Sequence, residues 1–280
     1  MRTRIATSPA RAARAVRDPE KNSGPAWLVL KVTTIVTVAW LIFPTLIVVP
    51  ISFSGSRSYQ FPPKTWSLRW YEDVLSSPLW LESAWTSLWL ALVVALLSAA
   101  IGTLAAIGLR AKLPGRLTVS GLILSPLVVP VVLIGIGTYL LFLQWGLVSH
   151  PLGFILAHTV LGIPYVIVAA TASLSSVDRD VERAAASLGA RPITVFFAIT
   201  LRMILPGVLA GALFAFVSSF DELIVSLFLV GPSFRTLPVA LFSAVSEQSN
   251  PGVAAVSVLV LLFTTLVMLV TLYAQKKATR

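Results

Sequence analysis

At 280 residues, the chain is 57% hydrophobic and only 11% charged, where a soluble domain carries roughly 25% charged residues. Its apolar residues fall in runs of about 20 or more, the length that lets a helix cross a ~30 Å hydrocarbon core, so a soluble globular fold is excluded and an all-α membrane protein is expected. The net charge of +10 invites a nucleic-acid partner, which the distribution of the charges rejects below, and with no cysteine there is neither a disulfide framework nor a thiolate metal site.

Residues 1–26 are polar, with arginines set among alanines. A transit peptide is arginine-rich but poor in acids, whereas Asp18 and Glu20 precede the first apolar run. The segment reads as a retained, disordered cytoplasmic tail. Span one covers 27–50, too long for a signal-peptide core and without a small-residue cleavage site beyond it; Pro44 is expected to kink it. Residues 51–85 carry Tyr59, Phe61, Trp66, Trp70, Tyr71, Trp80 and Trp85. Aromatic rings with one polar edge favour the headgroup level, and an interfacial belt and a docking surface for an external protein are both open. Span two covers 86–109, and a basic loop with Arg110, Lys112 and Arg116 turns the chain back.

Span three, 117–143, contains Pro126, Pro130, Gly135 and Gly137. Two prolines four apart free backbone carbonyls, which a membrane tolerates only where they face protein or a water-filled cavity. Span four, 152–174, holds His158, either a hydrogen-bonded core group or a proton relay, and Pro164. Span five covers 206–230 and span six 253–273, before a tail at 275–280. With the N-terminus inside, 17 of the 21 Lys and Arg fall in inside segments, and only Arg57, Lys64, Arg69 and Arg235 fall outside. That bias is a positive-inside signal. It predicts six transmembrane helices, N-in and C-in, and makes the +10 an orientation charge, with membrane lipid and no nucleic acid as surroundings.

The polar interruption at 178–206, between spans four and five, is therefore expected at the cytoplasmic surface. Its first part, 181–188, is alanine-rich and favours helix. Asp178 and Asp180 sit where a helix dipole favours negative charge, Gly189 suits a left-handed stop, and Pro192 can open a second helix. The residues alone leave an ordinary loop and a docking element equally open.

The pattern Ala184-Ala185-x-x-x-Gly189 followed by Ile204-Leu205-Pro206 resembles the EAA loop of binding-protein-dependent ABC transporter permeases. The likeness spans essentially the whole chain. Trp70-Tyr71, the Ser87…Gly102…Ala105-Ala106 run, Phe220-Asp221-Glu222, Gly231-Pro232 and Thr236-Leu237-Pro238 are similar to the spermidine/putrescine subfamily, above all to the second of its two permease subunits. In register with Gly189, Arg183 stands at the motif's glutamate position and Glu182 one residue earlier, about 100° away around a helix. Arg202 replaces the first of two prolines often found before span five. The resemblance implies a six-helix importer domain at 27–274 with a coupling loop at 178–206, whose residues are Glu182, Arg183, Ala184, Ala185, Gly189, Leu205 and Pro206. It also implies a dimer of ATP-binding subunits, a second permease and an extracytoplasmic solute-binding protein, in the inner membrane of a bacterium. A polyamine is the implied substrate, with opines or aminoalkylphosphonates as alternatives carried by related permeases. No G-x-x-x-x-G-K-[ST] phosphate loop occurs, so ATP hydrolysis is expected on a separate subunit, and no cofactor or metal is expected here.

Asp221 and Glu222 stand in span five, roughly 22 Å beyond Pro206 at 1.5 Å per residue. Charges at such depth face a bundle interior or a cavity. Ser218, Ser219, Glu222 and Ser226 share a helical stripe, which makes Glu222 the expected lining residue of a translocation path with Ser218 and Ser226. Asp221 would face a neighbouring helix or the cavity edge, and helix–helix hydrogen bonding is the structural alternative. Gly207 and Gly211 form a small-xxx-small pair that allows close helix approach, within the bundle or against a partner. The reading from another class is a self-contained secondary transporter coupled to an ion through Asp221, Glu222 and His158, against which stands the lack of a discernible inverted repeat. A membrane enzyme would need a nucleophile, base or metal cluster that the sequence lacks.

Overall fold

The computed structural model describes residues 25–110, 114–232, 234–247 and 251–278. Nearly all of the expected tail at 1–26, Lys112 and Arg280 lie outside the described residues. The chain divides into two compact units, Met1–Val49 and Pro50–Arg280. The first contains most of α1 (Pro25–Ser52), a helix that continues unbroken through Pro44. In the second, α2 (Arg69–Ser76), α3 (Pro78–Leu109), α4 (Arg116–Leu124), α5 (Val131–Trp145) and α6 (Pro151–Ser175) follow in order. Then come α7 (Arg179–Ser187), α8 (Pro192–Val195), α9 (Leu201–Phe220), α10 (Ile224–Leu229), α11 (Leu237–Glu247) and α12 (Gly252–Ala278). The protein is all-helical, and among the described residues five stretches are long and apolar enough to cross a membrane. A sixth arises when the bent pair spanning 116–145 counts as one.

That pair covers the expected third span, which is bent at its two prolines. α4 runs into a single 3-10 turn at Ser125–Leu127, and α5 restarts at Val131 with its axis turned by 97°. Both prolines act here: each lacks an N–H and clashes with the turn before it. The amides of Val128 and Val129 close onto the Ser125 carbonyl, and Pro130 becomes the residue that opens α5. Two further boundaries differ from the sequence expectation. α3 begins at Pro78, because Ser77-Pro78 supplies an extended residue followed by a proline suited to a first helical position; Trp80 and Trp85 therefore ride on a span. α11 has no counterpart among the expected spans. Its first amide, on Leu237, donates to Ser87 Oγ of α3 at 2.8 Å.

The centre of the bundle is α3, α6 and α9, packed side by side. Lipid tails are as apolar as leucine, so membrane helices gain little from hydrophobicity between them and associate through close contact. Gly207 lies against Ser173 and the Ala169 carbonyl, and a Cβ on Gly211 would sit 2.6 Å from Val166 Cα. Gly102 of α3 closes on the same Val166. The Gly207/Gly211 pair is thus used inside the bundle, against α6. At one end Ala106, Ala170, Leu174 and Ile204 form a cluster under the 178–206 segment, and at the other Trp70 and Val74 of α2 pack with Phe216 and Phe220 of α9. Trp70 is buried and donates its indole N–H to the Ser54 carbonyl at 2.7 Å, while Tyr59, Phe61, Trp66 and Trp85 are exposed. The aromatic segment therefore divides into a structural half and a surface half.

Candidate functional site

Two regions carry the polar groups that matter. The first is the 178–206 segment. The Asp178 carboxylate accepts from the Asp180 amide at 2.9 Å, capping α7. The helix stops at Gly189, whose φ of +86° is the left-handed conformation that side chains disfavour. The amides of Gly189 and Ala190 close on the carbonyls of Ala186 and Ala185 at 3.0 and 3.1 Å, satisfying the helix end. Arg191 is extended and Pro192 opens α8. The second half of the segment is not a separate surface helix. α8, a π-helical turn at Phe196–Thr200 and α9 run on as one apolar stretch from Pro192 to Phe220, with Pro206 inside α9.

The side chains of α7 sort by face. Arg183, Ala184 and Leu188 (89% exposed) point outward, whereas Glu182 and Ala185 are half-buried. Glu182 is held from two sides. Arg110 Nη1, at the end of α3, donates to both carboxylate oxygens at 2.9 and 3.0 Å, and Thr200 Oγ1 donates to Oε1 at 2.8 Å. Arg110 also donates to the Val177 carbonyl at 2.9 Å, and Arg179 returns a bond to the Arg110 carbonyl at 2.8 Å. Among the described residues Arg183 pairs with Asp180, its exposed neighbour one turn back, at 3.0 Å. Beneath this brace is an open cavity of about 500 Å³ bordered by Arg110, Glu182, Phe196 and Thr200. Of the two remaining predicted loop residues, Leu205 is exposed and Pro206 half-buried.

The second region is the break in span five. The helix expected to run unbroken through 206–230 ends at Phe220, and a short α10 restarts at Ile224. The side-chain directions inferred for a continuous helix therefore do not hold. Glu222 is 9% exposed and turns back to accept the amides of Val225 and Ser226 at 2.8 and 2.9 Å. Its carboxylate thus satisfies donors that the opening turn of a helix leaves free. His158, 1% exposed on α6, bridges the pieces: Nδ1 lies 2.9 Å from Ser219 Oγ and Nε2 3.1 Å from Ser226 Oγ, with Glu222 Oε2 at 3.6 Å. Ser219, Glu222 and Ser226 converge on this histidine, while Ser218 stands outside the knot, half-buried. Asp221 is exposed and borders a cavity of about 390 Å³ walled by Phe220, Leu237, Leu241 and Phe242. The partners Arg110 and Thr200 of Glu182 were not legible in the sequence, because they lie 72 and 18 residues away.

Comparison with known proteins decides the class. The family described as the binding-protein-dependent transport system inner membrane component matches residues 98–280. The chain belongs to this family. As an inner membrane component, it is 35% identical over 233 residues to the putrescine transport system permease protein PotI of Escherichia coli K12, covering 79% of this chain and 82% of that protein. It is 32% identical over 243 residues to the spermidine/putrescine transport system permease protein PotC of Haemophilus influenzae, covering 86% and 94%. Its fold is similar to that of a bacterial ABC transporter involved in the import of the acidic polysaccharide alginate, with a TM-score of 0.68 at 14% identity over 88% of this chain and 95% of the other. A further structure of the alginate transporter holds a periplasmic protein bound to an alginate pentasaccharide. This inner membrane component is thus a multi-pass permease of the ABC importer class, and the reading as a self-contained ion-coupled transporter gives way. Both of these relatives are transport system permease proteins.

Proposed function

We propose that the chain is one transmembrane subunit of an ATP-driven importer that carries a polyamine, putrescine or spermidine, into a bacterial cell. It would lie N-in and C-in, pair with a second permease on a dimer of ATP-binding subunits, and dock one of those subunits through α7. An extracytoplasmic binding protein would deliver substrate to the opposite face. The observation that carries the reading is the exposed, alanine-rich α7, capped by Asp178, stopped by Gly189 and joined through α8 to the membrane-crossing α9. Closure of the ATP-binding subunits displaces α7, and the displacement passes along α9 by rigid-body motion, alternating access between the two faces.

The substrate class rests on the names of the relatives together with one local feature. Asp221 follows the 20 residues of α9, about 30 Å from its start, so it stands near the far face from α7. Its exposed carboxylate beside Phe220 and Phe242 offers charge attraction and an aromatic wall to an ammonium group. The test is reconstitution in liposomes with and without the cognate ATP-binding subunits and binding protein. Uptake by the chain alone, without an ATPase, overturns the importer reading. A binding protein that takes an opine or an aminoalkylphosphonate in preference to a polyamine overturns the substrate.

A further inference from the structure

The group that ties α7 to the membrane helices is Glu182, and its surroundings point to a role in transmission. The carboxylate is shared by three elements: it belongs to α7, it is gripped by Arg110 at the end of α3, and it accepts from Thr200, the last residue of the π turn that leads into α9. Thr200 is buried, and Glu182 and Arg110 are largely shielded. Charge-assisted hydrogen bonds in such a setting are shorter and roughly twice as strong as neutral ones. Among the described residues the other ion pair of α7, Arg183–Asp180, is local and exposed and joins two groups of the same helix.

The π turn gives the arrangement a second property. A π turn takes in one residue more than an α turn, so it rotates the succeeding helix by about 100° relative to an uninterrupted α-helix. That turn carries Thr200 toward the carboxylate, and it is also where the register of the stretch can change. The Arg179 bond to the Arg110 carbonyl closes a loop around the same corner. Pulling α7 therefore loads α3 and α9 together and not α9 alone.

We infer that Glu182 is a positioning residue that, with Arg110 and Thr200, makes α7, α3 and α9 move as one when the coupling segment is displaced. The inference rests on the importer reading above, and the two can fail separately. The experiment uses the full complex in liposomes and measures substrate molecules imported per ATP hydrolysed, with liganded binding protein present. For Glu182→Gln in an assembled complex, this ratio is expected to fall at least about five-fold, the lower end of an ordinary coupling between sites, because hydrolysis continues while movement is no longer passed on. Arg110→Gln should behave alike, and the exchanged pair Arg110→Glu with Glu182→Arg should recover part of the ratio. A ratio unchanged in assembled Glu182→Gln overturns the inference, including the case where uptake and hydrolysis fall in step. If that variant does not assemble, Thr200→Val, which removes a single hydrogen bond, takes its place, and an unchanged ratio there overturns the inference equally. A wild-type chain that neither binds nor needs an ATPase overturns the importer reading instead.

Discussion

Asp221 and Glu222 are neighbours in sequence and opposites in environment. Glu222 is folded into a hydrogen-bonded knot with His158, Ser219 and Ser226, while Asp221 opens onto a cavity. We predict that Asp221→Asn lowers uptake of a cationic substrate at limiting concentration by about five-fold or more, the loss of roughly 1 kcal/mol of charge attraction. Its complex should assemble normally, and unchanged uptake would remove Asp221 from the path. Glu222→Gln is expected to act first on stability. It replaces one of the two oxygens that accept backbone amides by an NH2 donor, a loss of about 1 kcal/mol, read as a lower melting temperature of the detergent-solubilised protein. An unshifted melting temperature would show that the knot does not hold the break together. A helical stripe suggested Glu222 as the lining residue, but the stripe presumes an unbroken helix, and the break reverses which carboxylate is accessible.

Among the elements, α9 depends on contacts that only small residues permit. A Cβ at Gly211 would press on the backbone of α6, whereas at Gly108 it would meet nothing within 4 Å. Gly211→Ala should therefore destabilise the bundle by about 1–3 kcal/mol, the usual cost of overpacking, and Gly108→Ala should be close to neutral. Thermal unfolding of the pair in one detergent checks this, and equal shifts would count against the packing assignment. At the end of α7, Gly189→Ala forces a side chain into the left-handed region at a cost of about 1–2 kcal/mol. The expected result is faster amide exchange at 184–190; protection equal to wild type would mean that the helix stop tolerates a side chain. Both glycines were visible in the sequence as candidates. What Gly211 touches was not, since α6 lies more than thirty residues before it.

For the whole molecule, the absence of cysteine makes sidedness directly testable. Single cysteines at Leu188 and Phe61, both exposed, are predicted to react with an impermeant thiol reagent from opposite faces, Leu188 from the inside. Labelling of both from one face would overturn the proposed N-in, C-in orientation. The outward direction of Ala184 and Leu188 also makes them better cross-linking positions than half-buried Ala185. Ala184→Cys and Leu188→Cys should each join to an ATP-binding subunit in the assembled importer, and failure of both would remove α7 as the docking element.

Sequence alone determined the class of environment, the approximate places of the membrane-crossing stretches and the helix stop at Gly189 within the polar segment at 178–206. Those are properties of hydrophobic length and helix-stop residues, which are read from contiguous stretches of chain. The tertiary structure decided which of two adjacent carboxylates is buried, where spans three and five break, and that Glu182 faces inward to Arg110 and Thr200. Each of these depends on groups brought together from different helices. Proline in a span allows a bend, but neighbouring helices decide its angle. A carboxylate in a membrane needs partners, but only packing supplies them. The likeness to known permeases makes α7 the proposed coupling element, and the packing joins its Glu182 to Arg110 at the end of α3 and to Thr200 before α9.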